Sequence, residues 1–278
     1  MTPAIMPQFA HAWTRAATPV KAAATMVEAL LVAVLGVFAA ALLRGFTGFG
    51  FGLAAVPLVS LALPPAKVVP FVVVLQLIVG VGGLRHAARS CDWRAVRGLS
   101  PGMLPGIPIG VAALTAFGAN PVRLAIGGVI LASVLLLWRG VRLPPRPSRV
   151  LTAAIGLVAG VMNGLASMGG PPIVVYLMAL SHRAATVRAT SIVYFMLAAV
   201  VSFVVMAWRG LIDAEIMLWS LASVPVLIAG TYLGNWGFTR AAPHHHRITS
   251  MATLSVLAAL LIRRNSSALN LVTVMSDS

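Results

Sequence analysis

Residues 151–180 read LTAAIGLVAGVMNGLASMGGPPIVVYLMAL, thirty residues without a charge. A bilayer-spanning helix needs about 20 mostly apolar residues at roughly 1.5 Å each. The stretch is long enough, but Gly169-Gly170-Pro171-Pro172 interrupts it. Proline inside a helix removes hydrogen bonds, whereas in the first turn of a new one it costs none. The stretch therefore reads as helix, loop, helix start. Unpaired backbone in hydrocarbon is tolerated only where it faces protein or a water-filled cavity.

The flanking sequence repeats the apolar signal. Val27 to Leu43 holds one acid, Glu28, at its edge; Val68 to Leu84, Leu99 to Ala119 and Leu124 to Trp138 hold no charge. Ala189 to Trp208, Ile216 to Thr239 and Ile248 to Ile262 complete the set. Of the 278 residues 60% are hydrophobic and 9% charged, against roughly 25% charged in soluble domains. The fold class is all-α, a polytopic transmembrane helical bundle. Its ten apolar segments (26–43, 48–63, 68–84, 99–118, 122–138, 150–163, 169–180, 187–208, 215–237 and 248–262) give about 8–10 membrane segments, with those at 48–63 and 169–180 short enough to be half-helices. A β-barrel would show weak alternating strands instead. A single cysteine, Cys91, excludes a disulfide framework and a thiolate metal site. The adjacent His244, His245 and His246 read as a loop.

The first five segments resemble the last five. Arg44-Gly45-Phe46-Thr47-Gly48-Phe49-Gly50 aligns with Asn163-Gly164-Leu165-Ala166-Ser167-Met168-Gly169 at an offset of 119. Asp92 matches Asp213 at 121, Pro105 and Gly110 match Pro225 and Gly230 at 120, and Arg139 matches Arg263 at 124. The expected organisation is a tail (1–25), a first transmembrane repeat (26–139), a basic linker (140–149), a second repeat (150–264) and a C-terminal tail (265–278). Arginine and lysine concentrate in the loops at 85–98, 139–149, 181–188 and 238–247, which by the positive-inside rule face the cytoplasm. Equivalent loops of the two repeats then fall on opposite sides, as in the inverted repeats of secondary transporters. The formal charge of +15 is largely loop charge, with no aromatic-basic interleaving to suggest nucleic acid.

The two glycine-rich breaks are the candidate substrate-binding or gating region: Gly45, Thr47, Gly48, Gly50 and Gly52 in the first; Asn163, Gly164, Ser167, Gly169, Gly170 and Pro171 in the second. Helix starts present free N–H groups and partial positive charge, and two such starts meeting would suit an anion. Arg44 borders the first break, either to bind an anion or to anchor at the interface. Gln76 lies inside a span and needs a polar partner. Thr190 and Tyr194 share a helix face that could line a path. Gly106 with Gly110, and Gly156 with Gly160, read as helix-packing glycines. No metal-spaced His/Glu/Asp set, Gly-x-Ser-x-Gly or Walker loop occurs. Five acids in the chain argue against a hydrolytic carboxylate pair, so the chain reads as a non-enzyme without a metal or cofactor.

Gly45-x-Thr47-Gly48-x-Gly50-x-Gly52 with Ala55-x-Pro57, and Gly164-x-x-x-x-Gly169-Gly170-Pro171-Pro172, resemble the paired glycine motifs of the TauE/SafE sulfite exporter family, with the resemblance running over about residues 28–264. It implies a secondary carrier in the plasma membrane (the bacterial inner membrane), moving a small inorganic or organosulfur anion such as sulfite or a sulfonate. An anion channel or a non-transporting membrane scaffold is the alternative. Phe46, Phe49 and Phe51 punctuate the first motif where the family has more small residues, which leaves the site's size and polarity open. A coupling ion (proton or sodium), the direction of transport and self-association are also left open.

Overall fold

The computed structural model describes residues 19–47, 50–60, 63–138, 147–180 and 183–240. Gly48, the histidines at 244–246, the apolar segment 248–262, the C-terminal tail and residues 1–18 lie outside them, while residues 19–25, expected in the N-terminal tail, begin the first helix; of Glu28 and Thr47 only the backbone is described. Ten helices make up the described regular structure: α1 (Pro19–Thr47), α2 (Phe51–Val59), α3 (Pro65–Ser90), α4 (Trp93–Ala116), α5 (Ala119–Trp138), α6 (Arg149–Ala166), α7 (Gly170–Leu180), α8 (Ala184–Trp208), α9 (Ala214–Ala222) and α10 (Val224–Arg240). Their ends follow local chemistry. Asp92 accepts from the Arg94 and Ala95 amides at the start of α4, Ser148 from Leu151 at α6, and Asp213 from Ile216 at α9, each satisfying an amide the helix leaves unpaired. Proline opens α3 at Pro65.

The α3, α4, α6 and α8 helices are each long and apolar enough to cross a membrane. The segment expected as one span over 215–237 is instead two helices, α9 and α10, bent by 44° about Ser223; as a broken span the pair makes five. The outward faces carry bulky apolar side chains, among them Leu35, Ile109, Leu124, Val204 and Leu221, as a lipid-facing surface requires.

The α2 helix turns back along α1. A Cβ on Gly36 would lie 3.2 Å from Leu58 Cβ near the far end of α2, although Gly36 precedes the end of α1 by eleven residues. In the same way α7 returns beside α6, where the hydroxyls of Thr152 and Tyr176 are 3.3 Å apart. Had α7 continued the direction of α6, those residues would stand more than about 30 Å apart at 1.5 Å per residue.

Glycines set the closest helix contacts. On α4, Gly102, Gly106 and Gly110 lie against Ala153, Leu157 with Gly160, and Val161 with Gly164 of α6. On α10, Gly230 and Gly234 lie against Phe38 with Ala41, and Leu42 with Gly45, of α1. Small residues let backbones approach where no hydrophobic drive between helices exists. The two interfaces share one register: Gly230 and Gly234 follow Gly106 and Gly110 by 124 residues, while the α6 contacts follow those on α1 by 119. Gly110 and Gly230, matched in the sequence comparison, do not make equivalent contacts; the packing moves the match by one helical turn. Asp92 and Asp213, ahead of the bend at Ser223, are separated by 121 residues, so the offset changes between these residues and the glycine contacts.

Candidate functional site

A small cavity opens where both helix breaks meet. Its lining comes from six helices and their breaks: Arg44, Gly50, Phe51, Gly52, Leu53, Gln76, Asn163, Ser167, Met168, Gly170 and Phe195. Gln76 is the twelfth residue of α3 and Phe195 the twelfth of α8, so the cavity lies midway along both long helices.

The first break ends at Gly50, whose φ of 87° is left-handed, a conformation that costs other L-residues roughly 1–2 kcal/mol. The following residues, Phe51, Gly52 and Leu53, form the first turn of α2 and all line the cavity. Their amides lie ahead of the intrahelical bond from Ala54 to Gly50 O, in the first turn, where a helix leaves N–H groups without intrahelical partners. The α7 start differs. Pro171 and Pro172 occupy its first turn and have no N–H, so α7 contributes a dipole and the Gly170 amide but few donors. The two helix starts, expected to be alike, therefore differ as donors: proline occupies the first turn of α7 but not that of α2.

The second break turns on Ser167, which caps α6 with φ 56° and ψ 29°. Its amide donates to Asn163 O at 2.7 Å, the bond of an αL cap, and that of Met168 to Met162 O at 3.3 Å; glycine is the usual residue at such a left-handed position. Here a serine holds the left-handed position, and its Oγ accepts from Gln76 Nε2 at 2.9 Å. The Ser167 carbonyl also presses on the Cα of Gly52, leaving no room for a Cβ there. Asn163 donates through Nδ2 to Ser202 Oγ at 3.0 Å. Arg44, in the last turn of α1, makes no hydrogen bond or ion pair with any described residue.

Of the residues expected at the site, Arg44, Gly50, Gly52, Gln76, Asn163, Ser167 and Gly170 line the cavity. Gly45 does not: it is wedged against Thr231, Gly234 and Asn235 of α10, and Arg188 donates to its carbonyl at 3.3 Å. Gly164 packs on Ile107 and Val111 of α4, Gly169 on Ala159, and Pro171 is buried in α7. Thr190 accepts from the Asp92 amide at 2.9 Å and donates to Thr186 O, well used away from the cavity. Tyr194 turns into the core; its neighbour Phe195, ring centroids 5.5 Å apart, faces the cavity instead. Sequence reading missed Phe195 and Leu53, which look like any other apolar span residue, and named Phe51 and Met168 only as parts of the two motifs. One signal existed: Phe195 follows Gln76 by 119 residues, the offset that also relates Asn163 to Arg44 and Gly170 to Phe51, all of them lining residues.

Among the described residues no group of three His, Cys, Asp or Glu side chains is placed to hold a metal ion.

A model of the sulfite exporter TauE/SafE family matches residues 32–261. The probable sulfite/organosulfonate exporter TauE of Cupriavidus necator is 29% identical over 202 residues, 68% of this chain and 76% of that protein. The probable inner membrane transporter protein TsaS of Comamonas testosteroni is 29% identical over 190 residues, 66% of this chain and 77% of that protein. No solved structure matches. The family match covers most of the chain, and the helical bundle carries a lipid-facing surface: the protein belongs to the TauE/SafE family and is a polytopic membrane transporter.

Proposed function

We infer that the chain is a secondary carrier that moves a small anion, sulfite or an organosulfonate, by alternating access between two inverted halves. The observation that carries this is the pairing of lining residues at a single offset: Arg44 with Asn163, Phe51 with Gly170, Gln76 with Phe195. A site lined by equivalent positions of two halves lies on the axis relating them, where a carrier places its substrate. The matched glycine contacts of α4 with α6 and of α10 with α1 support the same division, residues 26–139 and 150–264 around a basic linker at 140–149. In this reading α1–α2 and α6–α7 are hairpins re-entering from opposite faces, and 8–10 membrane segments include them.

The chemistry of the lining favours an anion. One guanidinium, the Gln76 amide and the first turn of α2 line the cavity, with no carboxylate among the lining residues. Phe51, Leu53, Met168 and Phe195 supply apolar surface, which suits the carbon end of a sulfonate. The two relatives named above, an exporter of sulfite or organosulfonate and an inner membrane transporter, agree with that class.

Counterflow in proteoliposomes tests the reading. Labelled sulfite or 2-hydroxyethanesulfonate should accumulate transiently against a trans load of the same unlabelled anion. A channel would dissipate the gradient without counterflow, and a scaffold would move nothing; either result overturns the carrier.

A further inference from the structure

We propose that Arg44 is the charge that responds to the membrane potential during substrate-free return, and that the carrier is an electrogenic uniporter of a monovalent anion with no coupling ion. This rests on the carrier reading above and specifies its energetics.

Arg44 faces the cavity midway along α3 and α8 and has no described partner of opposite charge. The positions of the acids explain why. Glu28 precedes Arg44 by sixteen residues on the same helix, about 24 Å at 1.5 Å per residue. Asp92 caps α4, Asp213 caps α9, and Glu215 pairs with Lys67 at 2.6 Å; Asp277 lies outside the described residues. The remaining lining residues contributed by α2, α3, α6, α7 and α8 contain no Asp, Glu, His, Lys or Cys, so none can exchange a proton with the substrate's path. Arg188, a described cation at the start of α8, is bonded to Gly45 O and Asn235 Oδ1.

An uncompensated cation inside the bilayer is costly until an anion joins it. With a monoanion bound, the site is neutral and its reorientation crosses the field without moving net charge. Without substrate it carries one positive charge. An inside-negative potential then draws the substrate-free site from outward-facing to inward-facing, and each cycle carries one anion out. The potential itself drives export, which removes the need for a proton or sodium partner.

The full-length protein in proteoliposomes, valinomycin and 2-hydroxyethanesulfonate, a monoanion at every working pH, provide the test. A tenfold potassium gradient sets about 59 mV, the potential equivalent of a tenfold ratio for one charge. The expected result is tenfold accumulation on the positive side, reversing with the gradient, and none driven by a pH or sodium gradient at zero potential. Exchange with equal anion on both sides, which uses only loaded steps, should run at the same rate with and without the potential. Arg44→Lys should keep this pattern at weaker affinity. Arg44→Gln leaves the loaded site negative, so any exchange it retains should become sensitive to potential. Accumulation that follows pH or sodium while ignoring potential overturns the proposal and leaves the carrier standing, as does wild-type exchange that changes with potential. Absence of counterflow from the wild-type protein overturns the carrier reading itself.

Discussion

Gln76 Nε2 donates to Ser167 Oγ across 2.9 Å, tying the middle of α3 to the break between α6 and α7. The bond joins one proposed half to the other at the wall of the cavity, and it positions the only amide donor that α3 offers there. Replacing Gln76 by Glu puts a carboxylate beside Arg44 in a low-dielectric setting. Anion affinity should fall at least tenfold, about 1.4 kcal/mol, while Gln76→Ala should raise KM several-fold. Uptake kinetics in proteoliposomes distinguish the two, and a Glu variant with unchanged KM would remove Gln76 from the site.

Ser167→Gly separates strain from contact. The left-handed backbone at Ser167 costs a non-glycine residue roughly 1–2 kcal/mol, so glycine should stabilise the break, raising the thermal midpoint in detergent. The same change deletes the hydroxyl that orients Gln76, and KM should rise. A variant both more stable and unimpaired in KM would mean that the serine serves neither end.

The bundle was legible because apolar runs and arginine-rich loops report the bilayer directly. Both breaks were legible because glycine and proline announce backbone that a helix interior cannot hold. Gly45, Gly164 and Gly169 show where that logic stops: glycine at a break and glycine at a helix contact look alike in sequence, and packing alone assigns these to contacts. Phe195 was hidden by the reverse problem, since no composition signal marks which face of an apolar span meets a cavity. The bend between α9 and α10 did have a signal, Pro225 in the first turn of α10, but prolines also sit inside the unbroken α4, and neither hydropathy nor charge is interrupted at Ser223.

Gly52→Ala should abolish transport and destabilise the fold. Its Cβ would collide with the Ser167 carbonyl, a backbone atom that cannot swing aside, and overpacking of this kind costs about 1–3 kcal/mol. Gly82→Ala, in open space on α3, is the matched control: losing a helix-interior glycine should gain about 0.5–1 kcal/mol. Thermal midpoints and counterflow on the two variants check the contrast, and equal behaviour would mean that the two breaks are not in contact.

Cys91 offers a probe without mutagenesis. It follows α3 in the loop expected on the cytoplasmic side, and burial pushes its thiol above the usual range, the Asp92 charge adding to the shift and the Thr190 hydroxyl opposing it. Less thiolate is present at neutral pH, so maleimide should react more slowly than with an unburied thiol and speed up as pH rises. An impermeant maleimide should label inverted vesicles but not right-side-out cells. Labelling of intact cells would reverse the topology.

The matched interfaces make the last prediction a paired one. Gly106 rests on Leu157 and Gly160 of α6, and Gly230 on Phe38 and Ala41 of α1. Valine at either position drives a branched side chain into facing backbone. Each should cost about 1–3 kcal/mol in stability. If these contacts hold the two halves in equivalent ways, each single variant should also slow counterflow by a similar factor, because each would lock or splay the same element of its own half. Gly127→Val on α5, where a Cβ meets nothing, should leave both stability and flux close to wild type. Thermal unfolding and counterflow measured on all three give the comparison. A large effect at Gly106 with none at Gly230 would break the equivalence, leaving α4–α6 as a structural clamp without a counterpart in α1–α10.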